Sequence, residues 1–436
     1  MLRSGSSVRP RGGFLGRRLL RQVDLSKITE VPAPLRFPLQ RDGLDPVARL
    51  GEVREDGPIH RLASVFGLRV WMVSGAEENR AVLADSEHFS TDIRRYVGRE
   101  DATGAQAIGG LGFTDPPDHT RLRKLLTPEF TKHRLARLQP RIDEVVEQRL
   151  DALEAASSGG SEPVDLVEEF AFPVPFQVIC ELLGVAPQDR DLFRRLAHSR
   201  FDVREGGLAA FGAMSESRDF LIESAARQRV EPREGLISSL IAQHGDDLTD
   251  DELGGLADGV FTGGYETSAS MIALSALTLA ESPEVRQWLA TDPAAADPVV
   301  EELLRYLSVV QIAFPRFVRS PVEIFGQRLQ PGDVVICSLS AANRDRALAG
   351  DDAERFNPGR HAGRPLTSHL AFGYGMHRCI GAELGRMELR SAVPRLIARF
   401  PELQLAFPPA EIVFRDLSIV YGVDALPVRL AAPDHT

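Results

Sequence analysis

The stretch from Ser368 to Arg386, SHLAFGYGMHRCIGAELGR, constrains this chain more than any other. A single cysteine, Cys379, stands between a glycine-punctuated loop and a run in which Ile380, Leu384 and Met387 recur at helical spacing. Gly373, Gly375 and Gly381 surround it, and residues without Cβ permit tight turns and a close approach of backbone to a flat ligand. The sulfur falls near a helix N-terminus, where unpaired N–H groups favour an anionic thiolate, as an iron ligand requires. An isolated cysteine is most often a small buried hydrophobe. That role does not call for Phe372, Gly373, Gly375, His377, Cys379 and Gly381 in the order F-G-x-G-x-H-x-C-x-G.

The chain has 436 residues, no Ser/Gly-rich linker and no internal repeat, and 43% of it is hydrophobic, enough for a large core. One mainly α domain with small β-sheets over residues 31–436, behind a flexible Arg-rich tail over 1–30, is the economical reading. In that tail Arg3, Arg9, Arg11, Arg17, Arg18 and Arg21 precede any acid, and Phe14, Leu15, Leu19 and Leu20 form a short apolar face. The tail reads as frayed chain or as a targeting or anchoring segment. Nowhere does an apolar run reach the ~20 residues of a membrane span. The net charge of −11 argues against nucleic acid as a partner. Cys180, Cys337 and Cys379 have neither disulfide density nor zinc spacing, which fits a reducing cytoplasm.

In chain order, Glu52 to Val73 reads as a hairpin and Ala76 to Leu83 as a helix. Tyr96 to Gly112 reads as a loop, and Ala155 to Glu162 as a flexible one. Within Asp115 to Thr131, His119 and Arg123 are four apart, so they share a helical face that could grip a pair of carboxylates. Asp189 to Arg204 and Leu208 to Arg229 are amphipathic helices joined by Gly206 and Gly207. The longest helix is predicted from Thr249, in capping-box relation to Glu252, to Ser282 before Pro283. At 1.5 Å per residue it spans roughly 50 Å. Gly263 and Gly264 weaken its middle by ~1 kcal/mol each, and the acid Glu266 and alcohol Thr267 interrupt an apolar run. Close helix crossing explains the glycines but not the acid and alcohol. Glu302 and Arg305 lie three apart on the next helix, Val309 to Phe314 is extended, and Val334 to Leu339 is a strand. Pro394 predicts a bend or break in the helix after Cys379. The last strands fall near Ile412 to Phe414 and Pro427 to Leu430.

These motifs occur in one order over about residues 30–430: D-P-P-D-H-T-R-L-R from Asp115, G-G-x-E-T from Gly263, E-x-x-R from Glu302 with Phe356-Asn-Pro-Gly-Arg360, and the Cys379 loop. Together they resemble the cytochrome P-450 family of soluble, bacterial-type haem-thiolate monooxygenases. The resemblance implies a triangular, mostly α fold and haem b ligated through its iron by Cys379. Phe372, Gly373, His377 and Gly381 would cradle the haem, and His119, Arg123 and Arg316 would hold its propionates. Splitting dioxygen consumes protons, and the family's acid–alcohol pair with water delivers them, which assigns catalysis to Glu266 and Thr267. Gly263 stands where alanine is usual and leaves more room above the ring, beside a family distortion of the helix. Glu302, Arg305 and Arg360 would form a charge network for folding. Arg346 replaces the proline usual after Asn343-Arg-Asp345.

The family's cavity positions map onto Val260, Phe261, Gly263, Val309, Ile312, Ala313, Ile419 and Val420, all small or apolar. A lipophilic substrate follows: a terpenoid, steroid, fatty acid or polyketide, hydroxylated or epoxidised by one atom of O2. The loop Tyr96 to Gly112 would touch it, and the two amphipathic helices would form a mobile lid. The haem domain uses up the residues, so electrons would come from a separate ferredoxin and its reductase. Arg121, Lys124, Arg378 and Arg386 would form the docking patch. The chain would act as a monomer. Two other readings are a peroxide-driven peroxygenase or dehydratase, which has less need of a proton relay, and a non-catalytic activating partner, which has no need of Cys379.

Overall fold

The computed structural model describes residues 33–65, 68–92, 110–158, 162–201, 207–361 and 368–431. The Arg-rich tail, most of the loop Tyr96 to Gly112, the middle of the Ala155 to Glu162 loop and Gly206 lie outside the described residues.

Strands β1 (Ile59–Val65), β2 (Leu68–Val73), β3 (Phe89–Ser90), β4 (Arg316–Val318) and β5 (Val334–Cys337) share one sheet in the order β1-β2-β5-β4-β3. The hairpin pairs Ile59 with Val73 and Val65 with Leu68, shifting register between Arg61 and Ala63. β5 runs parallel to β2, with Val334 beside Val70 and Cys337 beside Val73. Parallel strands need a long crossover, and this one carries most of the helices. Both faces are apolar: Trp71, Val73, Val335 and Cys337 pack on one side, Leu68, Val70, Val334 and Ile336 on the other. Such a sheet is buried on both sides.

The central helix spans Asp250–Ala280. Thr249 Oγ1 accepts from the Glu252 N–H at 3.2 Å while Glu252 Oε2 accepts from the Thr249 N–H at 3.3 Å. Pro283 then opens the helix Pro283–Thr291. The two amphipathic segments are helices Arg190–Phe201 and Gly207–Val230, and the second lies on the central helix. A Cβ on Gly254 would stand 2.4 Å from Ile222 Cγ1, so this crossing depends on a missing side chain.

Of the bend or break expected at Pro394, the break does not occur, and the cysteine helix runs on as Ala382–Arg399. Val393, Leu396 and Ile397 are buried around the proline, and the helix packs on the central helix and on Gln139–Ala156. Tertiary packing outweighs the ~3 kcal/mol local penalty. The expected strand at Ile412 to Phe414 is reduced to one bridge, Phe414 to Val423, because the Arg415 N–H bonds the Gly422 carbonyl at 2.9 Å and closes a turn. Pro427–Arg429 does pair, with Gln404–Leu405 and Val164–Asp165. Among the described residues no helix is long and apolar enough to cross a membrane.

Candidate functional site

The cysteine loop is shaped by its backbone. The Cys379 N–H bonds the Phe372 carbonyl at 2.9 Å, and the Gly373 N–H bonds that of Leu370 at 2.8 Å. Gly373 and Gly375 have φ of +67° and +71°. A Cβ on Gly375 would lie 2.4 Å from the Leu83 carbonyl oxygen, so no other residue fits there. Of the three cysteines only Cys379 is exposed. Although the residue keeps an accessible face, the protein packed around its sulfur raises the thiol above the ordinary value, opposed by a Gly381 N–H bond and by the fields of Arg123, Arg378 and Arg386. The loop alone therefore does not produce the expected thiolate. A coordinated metal ion would displace the proton outright.

Four basic groups converge beside this loop. His119 and Arg123 share a face of the helix Asp118–Leu126, and Arg123 Nη1 donates to the Arg378 carbonyl at 2.7 Å. The rings of His119 and His377 are 4.3 Å apart. Neither ring nitrogen of His119 has a partner, nor does Nδ1 of His377, although all three are buried. His377 Nε2 lies 3.3 Å from Thr91 Oγ1, and the Thr91 N–H is held by Asp115 at 3.0 Å. Arg316 is buried and donates from Nη1 to the Phe314 carbonyl at 2.6 Å. Burial, then the charges of Arg316 and His119, push His377 down to about 3. Burial and Arg123 also lower His119. Neutral imidazoles keep one N–H donor each. Buried polar groups rarely go unpaired, and carboxylates at this point would pair them. The residues therefore fit the propionate edge of a haem.

The central helix passes with Gly263 towards open space: a Cβ there would meet nothing within 4 Å. Gly264 has a packing reason, since its Cβ would stand 3.0 Å from Ile179 Cδ1. The helix continues unbroken through both glycines. The Thr267 hydroxyl donates to the Gly263 carbonyl at 2.8 Å. Glu266 points elsewhere and accepts from Arg415 Nη1 at 2.8 Å, while Arg415 Nε bonds Asp424 at 2.7 Å. Burial raises the Glu266 carboxyl, with Arg415 opposing. Beside this pair Ser268 donates to Glu388 at 2.5 Å. Glu388 is buried and raised to about 7 by burial, with the Ser268 bond opposing. Neither Arg415 nor Glu388 was signalled by local sequence, because each meets the central helix only through the fold.

Behind the loop the predicted charge network forms. Glu302 accepts from Arg305 at 2.8 and 2.9 Å, from Arg360 Nε at 2.8 Å and from the Asn357 N–H at 2.8 Å. Burial would raise this carboxyl, but the bonds from Arg305, with His361 Nε2 close by at 3.4 Å, outweigh it and hold it at about 2. A second network surrounds Glu301, which accepts from Arg386 Nη2 at 2.9 Å and meets His369 Nε2 at 3.0 Å. Arg386 is thus buried, and its guanidinium sits 4.6 Å over the Phe372 ring. It is removed from the expected docking patch, because its helix position turns it inward onto Glu301. Arg378 and Lys124 are exposed, and Arg121 pairs with Glu252 at 2.6 Å.

The expected wall residues divide. Val310 bridges Val420 and Ile312 bridges Ser338, so the segments around Ile312, Ala313, Ile419 and Val420 are neighbours. Ile419 is 55% exposed. Val260 is partly buried on the central helix. Phe261 and Val309 are drawn into the core instead. The Phe261 ring lies 4.6 Å from Phe193 on the helix Arg190–Phe201 and 5.4 Å from Tyr265 one turn along its own helix.

A flat macrocycle with iron at its centre and carboxylates on one edge asks for a reachable sulfur, buried donors at that edge and a helix without side chains above its face. Those demands, met together, define the class as a haem-thiolate protein. Comparison with known proteins bears on the same point. The family description "Cytochrome P450" matches residues 53–192 and 295–406. Cytochrome P450 FAS1 of Rhodococcoides fascians is 38% identical over 90% of this chain and 98% of its own. Cytochrome P450 165B3 of Amycolatopsis orientalis is 39% identical over 91% and 98%. The solved structure of P450 StaH from glycopeptide antibiotic A47934 biosynthesis superposes with a TM-score of 0.79, at 38% identity over 90% of this chain and 99% of that one. The chain belongs to the cytochrome P450 family. It is a monooxygenase, an oxidoreductase that uses O2, a substrate and redox partners and that binds haem b through a cysteine thiolate.

Proposed function

We propose that Cys379 is the haem iron ligand, that His119, Arg123, His377 and Arg316 hold the propionates, and that the substrate is a lipophilic small molecule. The observation that carries this is the cluster of unpaired buried imidazole nitrogens beside the one exposed thiol. Bound haem supplies the redox iron at which dioxygen is reduced and split.

This chain's own residues bring protons and exclude water. Thr267 spends its proton on the Gly263 carbonyl, so its oxygen lone pairs accept from a water or substrate hydroxyl. Glu266 carries the acid. Arg415 and Asp424 link it to the protein surface, and Asp424 is half exposed. A buried carboxyl raised towards neutrality exchanges protons more readily than an exposed one. Ile312, Ala313, Ile419 and Val420 offer apolar wall, as a lipophilic ligand requires. The solved relative from antibiotic biosynthesis supports a secondary metabolite as substrate.

Electrons arrive from a separate ferredoxin and reductase that dock near Arg378 and Lys124, and the chain works as a cytoplasmic monomer. Lys124→Glu with Arg378→Glu should slow reduction by ferredoxin more at low salt than at high salt, since exposed charges are screened. Equal rates at both salts remove the patch. The substrate reading is tested by titrating ferric protein with terpenoid, steroid, fatty acid and polyketide panels. A Soret shift with one class supports it; no shift with any class, in protein that retains its thiolate band, contradicts it.

A further inference from the structure

Gln311 belongs to no part of the machinery described so far, yet it is 0% exposed and every polar atom of its side chain is used. Its Nε2 donates to the Leu39 carbonyl at 3.0 Å and to the Ser418 carbonyl at 2.7 Å. Its Oε1 accepts from Arg41 Nε at 2.8 Å. The Gln311 backbone adds an N–H bond to the Ile419 carbonyl at 3.0 Å and accepts from the Leu339 N–H at 2.9 Å. One residue therefore joins the N-terminal turn, the strap after Leu307 and the turn that carries Ile419 and Val420.

Arg41 completes the clasp. Its Nη2 donates to the Leu307 and Ser308 carbonyls at 2.8 and 3.0 Å, and Nη1 to that of Leu44 at 3.0 Å. Its guanidinium stands 4.8 Å over the Tyr421 ring. Tyr421 OH donates to the Gly43 carbonyl at 2.6 Å, and the Tyr421 N–H bonds the Val309 carbonyl at 2.7 Å. The hydrogen-bond acceptors of this partly buried cation are an amide and backbone carbonyls, so its geometry is directional and short-ranged. Alternation along an extended chain sends the neighbours of Gln311, Val310 and Ile312, to the opposite face.

We propose that Gln311, held by Arg41, is a positioning residue for specificity: it fixes the spacing between the wall bearing Ile312 and the wall bearing Ile419 and Val420. The clasp does not touch the ligand. It sets which ligand widths the cavity accepts, through a hydrogen-bonded frame that cannot slide by less than a broken bond. This rests on the reading that Ile312, Ile419 and Val420 line the substrate cavity.

Two nitrogen ligands for the ferric iron test it on the haem-loaded protein: imidazole, too small to reach the walls, and clotrimazole, bulky enough to press on them. Optical titration gives both dissociation constants, with haem content and thermal midpoint measured alongside. Ile312→Phe, a direct wall change, should alter the ratio of the two constants more than fivefold. Gln311→Leu and Arg41→Lys should each do the same while imidazole binding stays within twofold. If Gln311→Leu does not retain haem, Arg41→Lys and the milder Tyr421→Phe decide the matter by the same ratio. Clasp variants that leave the ratio within fivefold, or that weaken both ligands in parallel, overturn the proposal. An unchanged ratio in Ile312→Phe shows instead that the cavity reading itself has failed.

Discussion

Glu388 is a carboxyl buried against a single serine hydroxyl, and its protonation follows from that poverty of partners. Its folded value of about 7 lies above the ordinary 4.5. Between those values the folded chain keeps a proton that the unfolded chain has released, so stability falls as pH rises through this window and stays lower above it. Glu388→Gln should therefore stabilise the protein at pH 8 by on the order of 3 kcal/mol and by little at pH 4.5. Thermal midpoints at the two pH values check this, and equal shifts at both would contradict it. Glu266 is the contrasting acid, paired with Arg415 and beside Thr267. Glu266→Gln should lower product formation by about 10²-fold, the lower end of general acid contributions, while substrate-induced Soret shifts persist. Thr267→Ser, which keeps the hydroxyl, should retain most turnover.

At the scale of elements, the reach of sequence reasoning depended on whether the cause was local. The capping box of Thr249 and Glu252 set the start of the central helix within one residue, because both partners lie in the same turn. Thr249→Ala should cost ~1 kcal/mol in a denaturant titration. The cysteine loop was legible for a similar reason: its glycines answer to φ angles and to one close carbonyl. Gly375→Ala should cost at least ~1 kcal/mol for its left-handed backbone alone, with the Leu83 contact added. Where the cause was distant, reading failed. Pro394 breaks isolated helices, and only burial by other helices keeps this one whole. Arg386 has a surface-like spacing, yet Glu301 on another helix takes it inside. Phe261, which the resemblance places at the cavity, packs on Phe193 of the helix Arg190–Phe201, a partner that local sequence does not reveal.

Across the whole molecule, two buried carboxylates tie the helix Ala296–Leu307 to the segments that carry the cysteine loop. Burial opposes their charge, but hydrogen bonds from His369 and Arg386 to Glu301, and from Arg305 to Glu302 with His361 close by, leave both at about 2. Folded values below the ordinary 4.5 mean that the unfolded chain takes up protons first as pH falls. The stability these groups provide is present above pH 4.5 and is lost between there and pH 2. Glu302→Ala should cost about 3–5 kcal/mol, because it leaves Arg305 charged and buried without its partner. Of the three cysteines we propose Cys379, and neither Cys180 nor Cys337, as the sulfur ligand of the haem iron. The most direct measurement is the carbon monoxide spectrum of the reduced protein beside those of Cys379→Ser, Cys180→Ser and Cys337→Ser. A thiolate-type Soret band is expected in the parent and in the Cys180 and Cys337 variants, lost in Cys379→Ser alone. A thiolate band that survives in Cys379→Ser would contradict it.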